Sequence, residues 1–89
     1  MKYEAITELR RIAEIPFVRA LKEIADALPY PCPYDTRLSR AGVKKETLDI
    51  LEENGYVSSY LAGYIISSVL WRDRWYQLTE RGQTVVKHS

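Results

Sequence analysis

The sequence has few of the residues that build disulfides, metal sites and catalytic centres. Its 89 residues include one cysteine, Cys32, and one histidine, His88. A single cysteine excludes an internal disulfide and is typical of a reducing compartment. One cysteine and one histidine cannot form a structural zinc site, and Cys32 lies among prolines and tyrosines, where we expect a buried thiol. No glycine-rich phosphate loop is present. We therefore expect no enzyme activity, no metal and no cofactor.

A long hydrophobic run is also missing. The longest stretch with few charges, residues 57–71, has fifteen residues and contains four serines, too short and too polar to cross a bilayer. The charged opening of the sequence does not resemble a signal peptide. Both features predict a cytoplasmic protein. One asparagine, two glutamines and one methionine are a small stock of thermolabile residues, which is typical of a thermophilic source.

The length and the hydrophobic content predict one ordered domain. A chain of 89 residues is too short for two cores, and 46% hydrophobic residues are enough to form one. The net charge is only +1, but it is unevenly distributed. Residues 35–45 carry four basic side chains and one acidic one, whereas residues 46–54 carry four acidic side chains and no basic one. A basic surface, if there is one, must therefore be local.

Two helices are predicted before the central prolines. Residues 2–15 place Ile6, Leu9 and Ala13 at helical spacing, and we expect this extra N-terminal helix to contribute to a homodimer. Residues 16–28 predict a core helix that begins at Pro16. Its apolar stripe consists of Phe17, Val18, Leu21, Ile24, Ala25 and Leu28. The prolines in residues 29–34 then predict an ordered, extended connector, with Tyr30 or Tyr34 packed on the domain.

Residues 35–54 are typical of a helix-turn-helix. Asp35 or Thr36 is expected to cap a short helix that runs to Ala41, and Gly42 to supply the turn. The helix that follows, residues 43–54, ends at an Asn-Gly stop signal. Its inward face consists of Val43, Leu48 and Leu51. Ile50 lies off that face and is expected to pack, although it could also contact a thymine methyl group.

In the last third of the sequence, the hydrophobic pattern changes from helical spacing to one that is typical of strands. Residues 56–59 and 75–78 predict strands, and Thr79 predicts the cap of a terminal helix over residues 79–88 with Val85 and Val86 inward. Residues 60–74 fit either a strand or a helix. Strands are favoured because of their β-branched residues. Turns at Ala62-Gly63 and Arg72-Asp73 would then give a meander.

Two fragments resemble winged helix-turn-helix transcription regulators of bacteria and archaea. LSRAGVKKETLDILEENGYV (residues 38–57) looks like a second helix, turn, recognition helix and first wing strand. WYQLTERG (residues 75–82) is similar to the last wing strand and following helix of regulators of the multiple-antibiotic-resistance and phenolic-acid-repressor kinds. The resemblance implies a mostly helical α+β winged helix-turn-helix fold, with the wing formed by residues 56–78. In this sequence that wing would be a long, apolar hairpin, and we expect the homodimer to be built on the N-terminal helix, on this apolar wing or on both.

The resemblance also implies a function. We expect a homodimeric transcription regulator that binds double-stranded DNA, with Arg72 and Arg74 at the tip of the wing. The expected DNA-binding residues are Arg37, Arg40, Lys44, Lys45, Thr47, Arg72 and Arg74. A winged-helix module for protein–protein interaction, without DNA binding, is the alternative.

The aromatic residues of the predicted wing allow a third reading. Such side chains can stack on single-stranded bases, but they are more often part of a core or a dimer surface. The side chains in question are Tyr60, Tyr64, Trp71, Trp75 and Tyr76. We expect packing.

Overall fold

Helix α1 (Ile15–Ala27) is the first element of the computed structural model, which describes residues 15–87. The helix buries one stripe against the rest of the domain, formed by Phe17, Ala20, Leu21, Ile24 and Ala27. The predicted core helix is confirmed, except that Leu28 lies beyond the helix end and is 46% exposed. The predicted N-terminal helix with Ile6, Leu9 and Ala13 lies outside the described residues, as does His88.

The proline-rich connector contributes a short strand, β1 (Cys32–Pro33). Cys32 is fully buried and pairs with Tyr76 in the sheet. The Tyr34 hydroxyl donates a hydrogen bond to the carbonyl oxygen of Val43 at 3.1 Å, and its ring packs against the core. The predicted packing of this segment is thus confirmed for Tyr34, whereas Tyr30 is 74% exposed.

The segment after β1 is a single wide helical turn, the π-turn (Tyr34–Leu38), and not a helix that reaches Ala41. The Ser39 N–H closes the turn on the carbonyl oxygen of Tyr34 at 2.7 Å. Neither Asp35 nor Thr36 provides the predicted cap. Instead, the Asp35 N–H donates to both carboxylate oxygens of Asp73, at 3.2 and 3.1 Å. The local prediction was wrong because the capping group lies 38 residues away in the sequence.

Helix α2 (Lys45–Glu53) follows Gly42, which has the positive φ (+83°) that the predicted turn requires. Val43, Leu48 and Leu51 are buried as predicted, and Ile50 is half-buried against the core. The helix ends at Asn54, whose side-chain amide donates to the carbonyl oxygen of Ile50 at 2.7 Å. The predicted stop is therefore confirmed.

Strands β2 (Val57–Ile66) and β3 (Val69–Leu78) form one long antiparallel hairpin. Residues 60–74 are strand, as favoured, but both predicted turns are wrong. Ala62 pairs with Asp73 and Gly63 pairs with Arg72 in the middle of the strands, while the chain reverses at Ser67 and Ser68. Both serines have positive φ, 52° and 64°, the geometry of a type I′ turn. Such a turn usually carries Asn or Gly, so two serines are not a pattern that predicts it.

Gly63 is needed where the two strands approach each other closely. A Cβ atom at this position would lie 3.2 Å from the carbonyl oxygen of Trp71 and 3.0 Å from a methyl group of Leu70. A glycine at residue 63 is therefore explained by the close approach of the two strands and not by a turn.

Helix α3 (Glu80–Lys87) completes the domain, and its predicted cap is confirmed. The Gly82 N–H donates to the hydroxyl of Thr79 at 3.1 Å, and the same hydroxyl donates to the carbonyl oxygen of Gly55. Val85 and Val86 pack at the edge of the core. The result is a small α+β domain with three antiparallel strands in the order β1-β3-β2. None of its helices within residues 15–87 is long and apolar enough to cross a membrane.

Asp73 is expected to stabilise the fold through the backbone hydrogen bonds that its carboxylate accepts. Its buried carboxylate also accepts the N–H of Arg74 at 2.8 Å, so it satisfies two backbone donors. Asp73→Ala should lower the free energy of unfolding by about 1–3 kcal/mol, because it leaves two partly buried backbone donors without their acceptor. Asp73→Asn, which keeps one oxygen, should cost less. Urea denaturation measures both, with the exposed Gln77→Ala as control; equal stability of Asp73→Ala and Gln77→Ala would contradict the capping role.

Candidate nucleic-acid interface

A cleft of about 230 Å³ lies between α2, the π-turn and the hairpin. Each of the three elements contributes polar side chains to its walls. The lining residues are Tyr34, Asp35, Lys45, Asp49, Leu61, Arg72, Asp73, Arg74 and Tyr76. Tyr76 and Asp73 are buried, so they form the cleft's inner wall, while the basic groups are closer to solvent.

Lys45 stands at the first residue of α2, on the side of the helix that faces the cleft. Its Nζ atom lies 5.1 Å from the centroid of the Tyr34 ring, a cation–π distance. Because the Tyr34 hydroxyl is bonded to Val43, the ring holds a fixed position below the ammonium group. Lys44, the residue that precedes the helix, is exposed.

Arg72 and Arg74 reach the cleft from the middle of β3. Residues two apart on a strand share a face, and the face of this pair is the one that continues to the buried Tyr76. The prediction that Arg72 and Arg74 flank a turn at the wing tip was therefore wrong. The tip is formed by Ser67 and Ser68 because the hairpin continues past the arginines.

A chain of hydrogen bonds fixes Arg74. Its Nη1 atom donates to the Ser59 hydroxyl at 2.9 Å, and that hydroxyl donates to the Glu52 carboxylate at 2.8 Å. The guanidinium group is thereby tied to the C-terminal half of α2, while Lys45 occupies the N-terminal end. No local pattern predicts this role of Ser59, which follows from the register of β2 against β3.

The remaining predicted DNA-binding residues lie outside the cleft. The Arg37 guanidinium is 3.9 Å from the Glu23 carboxylate, a half-exposed ion pair that contributes little stability. Arg40 is exposed and Thr47 is half-buried. Of the seven predicted residues, Lys45, Arg72 and Arg74 are brought together, and Arg37, Arg40, Lys44 and Thr47 do not line the same cleft.

The electrostatics of the cleft are mixed. Asp35 and Asp49 face the same space as the three basic groups, and Asp73 is engaged in its backbone hydrogen bonds. Along α2, the exposed Glu52 and Glu53 follow further toward the C-terminus. The basic character is therefore concentrated at the N-terminal end of the helix and on the facing strand.

Burial changes the acidity of two groups beside the cleft. Burial raises the pKa of the Tyr76 hydroxyl, and the nearby Arg74 charge only partly offsets it. Burial likewise raises the pKa of the Cys32 thiol, against the opposing charge of Arg37. A thiol held protonated is a poor nucleophile, in agreement with the structural role predicted for Cys32.

These shifts predict a loss of stability at alkaline pH. Both groups ionise at lower pH in the unfolded chain than in the folded protein, so the free energy of unfolding should fall as pH rises past the ordinary values of about 8.5 for cysteine and about 10 for tyrosine. Tyr76→Phe should flatten the upper part of this fall. Urea denaturation across that range tests the idea, and an unchanged profile in Tyr76→Phe would contradict it.

Other kinds of site find no support in the part of the chain that the structure describes. Between residues 15 and 87, no three cysteine, histidine or acidic side chains are grouped so that they could hold a metal ion. No known protein family, curated protein or solved structure matches this chain. The arrangement of the cleft is therefore the main guide to function.

Proposed function

We propose that this protein is a winged helix-turn-helix transcription regulator that binds double-stranded DNA in a sequence-specific manner as a homodimer in the cytoplasm. The order of elements supports the fold: α1, β1, the π-turn, α2, the β2–β3 hairpin and α3, with β3 in the middle of the sheet. In this proposal α2 is the recognition helix and the hairpin is the wing.

One observation carries the proposal: a lysine from the N-terminal end of α2 and two arginines from the hairpin converge on one cleft. A recognition helix inserts its N-terminal residues into the major groove, where Lys44, Lys45 and Thr47 would be the first to meet DNA. Arg72 and Arg74 would contact the phosphates beside that groove.

A second candidate is favoured by a different observation. Residues 60–71 carry no charge and many of their apolar side chains are exposed, which suits a winged-helix module for protein–protein interaction. Such a module requires no affinity for DNA, so a binding measurement separates the two candidates.

Titration of a labelled duplex pool at low and at near-physiological salt tests the proposal. A dimer that makes four to six phosphate contacts should give a slope of log K against log salt of about −4 to −5. Arg72→Ala and Arg74→Ala should each flatten the slope by about one per lost contact and weaken binding to all sequences. Absence of duplex binding at either salt concentration would contradict the proposal and favour the interaction module.

Specificity has its own test. Lys45→Ala and Thr47→Ala should change which sequences are selected from a random duplex pool, at a cost of roughly 1–3 kcal/mol at the preferred site. Arg72→Ala is the matched control, because a phosphate contact should not change the selected sequence. The same selected sequence in all three variants would show that α2 does not contact bases.

A further inference from the structure

The outer part of the hairpin, residues 60–71, is the most apolar exposed surface of the described chain; we call it the distal hairpin. It contains no charged residue in twelve positions. Seven of its large apolar side chains are between 44% and 73% exposed. They are Tyr60, Leu61, Ile65, Ile66, Val69, Leu70 and Trp71. Patches of this kind mark binding surfaces in soluble proteins.

Exposed apolar side chains lie on both faces of the distal hairpin. The register places Leu61, Ile65 and Leu70 on the face that continues into the cleft. The opposite face carries Trp71 and an aromatic pair, in which the rings of Tyr64 and Trp75 meet edge to face at 6.3 Å. The Trp75 indole N–H also donates to the carbonyl oxygen of Ala62 at 3.4 Å. These contacts give the second face a defined shape.

The helices do not cover this surface. The described domain is 51 Å long but only 22 and 21 Å across, and the core ends near the base of the hairpin, at Val57 and Tyr76. Beyond that point β2 and β3 pair only with each other, since β1 pairs with β3 at Trp75 and Tyr76 alone. An isolated two-stranded hairpin is marginally stable in water. A partner on its apolar faces would supply the missing burial.

We propose that the distal hairpin is the interface of the homodimer, and that its occupant is the distal hairpin of a second copy of this chain. Large apolar side chains have roughly 150–250 Å² of surface each, so the seven expose on the order of 700 Å². A stable interface takes about 800 Å² from each partner. The seven lie on both faces of the hairpin, and a partner hairpin packed on one face covers about half of this area, so the distal hairpin supplies part of a dimer interface.

The absence of charge selects a copy of the same surface as the partner. In a twofold dimer each patch meets itself, so any charge near the axis would face its own like. Residues 60–71 contain no such charge. The same property gives nucleic acid nothing to bind there, since duplex binding needs cationic groups on the protein. Arg72 and Arg74 lie across the hairpin from Gly63 and Leu61, and Leu61 borders the cleft. The uncharged end of the hairpin, from the Tyr64–Trp71 pair to the tip, is thus assigned to the second copy, and the cleft to DNA.

The inference deepens the proposed function, because it rests on the homodimer and names its surface. Each strand has ten residues, which makes the hairpin about 33 Å long. Two hairpins packed side by side in opposite directions would place the α2 helices near opposite ends of a unit of about this length. Successive major grooves on one side of DNA are ~34 Å apart. The hairpin therefore has the length that a two-site reader of one DNA turn needs.

Light scattering coupled to size-exclusion chromatography, at high micromolar protein without DNA, tests the interface. The wild-type chain should have twice its 10.4 kDa monomer mass. Leu70→Lys and Trp71→Lys test the two faces separately, and at least one of them should raise the dimer dissociation constant at least about tenfold, because it places charges in the apolar contact between the two copies. Tyr30→Lys is the matched control, since Tyr30 is 74% exposed and lies outside the hairpin; it should remain dimeric.

A measurement on the unmodified chain covers the case in which a lysine variant fails to fold. Hydrogen exchange at high and at low protein concentration should show protection of residues 60–71 that increases with concentration. A monomeric wild-type chain would overturn the inference, as would a dimer that both lysine variants leave intact. A dimer that Leu9→Lys dissociates while Leu70→Lys and Trp71→Lys do not would assign the interface to the N-terminal segment.

Two further outcomes remain distinct from these. If the wild-type chain is monomeric and sediments with phosphatidylcholine vesicles, and Trp71→Lys abolishes the sedimentation, the occupant is a lipid surface and the inference is wrong. If the chain is a dimer through the hairpin but binds no duplex, the inference holds and the proposed DNA binding fails.

Discussion

Replacing Gly82 by alanine should destabilise the protein by about 3 kcal/mol or more. Gly82 is buried in the first turn of α3, where the helix lies directly against the backbone of Tyr56. A Cβ atom at this position would overlap the Tyr56 carbonyl oxygen and approach a methyl group of Leu78 to 3.3 Å. Backbone cannot move aside as a flexible side chain can, so the whole helix would have to shift. Insertions into a packed core usually cost about 1–3 kcal/mol, and a clash with backbone belongs at the upper end.

The shift would also break hydrogen bonds. The Tyr56 carbonyl oxygen accepts the N–H of Thr79 at 3.2 Å, and the Thr79 hydroxyl caps the N–H of Gly82. Moving α3 outward separates these groups together, which adds the loss of a helix cap, worth about 1 kcal/mol. A small domain has only about 5–15 kcal/mol of stability in total, so this single methyl group removes a large share of it.

Urea denaturation followed by circular dichroism measures the Gly82→Ala effect. Gln83→Ala, at the next and exposed position of the same helix, is the control and should change stability by no more than about 0.5 kcal/mol. Alanine favours helix over glycine by about 1 kcal/mol, so without the clash Gly82→Ala would stabilise the protein. A Gly82→Ala variant as stable as Gln83→Ala would show that α3 does not rest on Tyr56 in solution.

The parts of the fold that the sequence predicts correctly are those decided within about one helical turn. Leu48 and Leu51 share a face of α2 because of helical periodicity and are buried, while Val43 is buried just before the helix begins. The Thr79 cap depends on a hydroxyl and an N–H three residues apart. In these places neighbouring residues contain all the information that the structure uses.

The errors come from interactions between residues far apart in the sequence. The cap of the π-turn is Asp73, which no local pattern around Asp35 could reveal. The turn at Ser67 and Ser68 was missed because the glycine that marks many turns stands instead at Gly63, where a strand crosses close to its partner. The single turn lies five residues from each of the two predicted turns, which places Arg72 and Arg74 in the middle of the hairpin and not at its tip. The cleft with Lys45 could not be foreseen for the same reason.

The observed position of the two arginines changes which part of the hairpin would contact DNA and which part would contact a partner subunit. With Arg72 and Arg74 in the middle of the hairpin, the basic groups lie beside the cleft at α2, and the residues between them and the tip carry no charge. If the arginines were at the tip, as predicted, the tip of the wing would be the part that contacts DNA. In this chain the charge is located where the recognition helix would dock, and this leaves the tip available for a partner subunit.

The strongest functional effect is expected from reversing charge at the cleft. The double variant Lys45→Glu with Arg72→Glu should weaken duplex binding at least about a hundredfold at low salt. In the proposed complex, Lys45→Glu would place an anion at the base edges and Arg72→Glu would place one beside the phosphates, and like charges at an interface cost several kcal/mol. The proposed dimer would carry two clefts, so both half-sites would lose affinity together. The loss should shrink as salt rises, since screening weakens repulsion and attraction alike.

The matched control for this variant is Lys22→Glu with Lys87→Glu, which changes the net charge by the same amount at exposed positions outside the cleft. If affinity depends on the cleft, the control should lose little, and the two double variants should differ by more than tenfold at low salt. If overall charge alone governs binding, they should lose affinity equally. Fluorescence anisotropy with one labelled duplex distinguishes these outcomes, and an equal loss would show that Lys45 and Arg72 do not form a DNA-binding site.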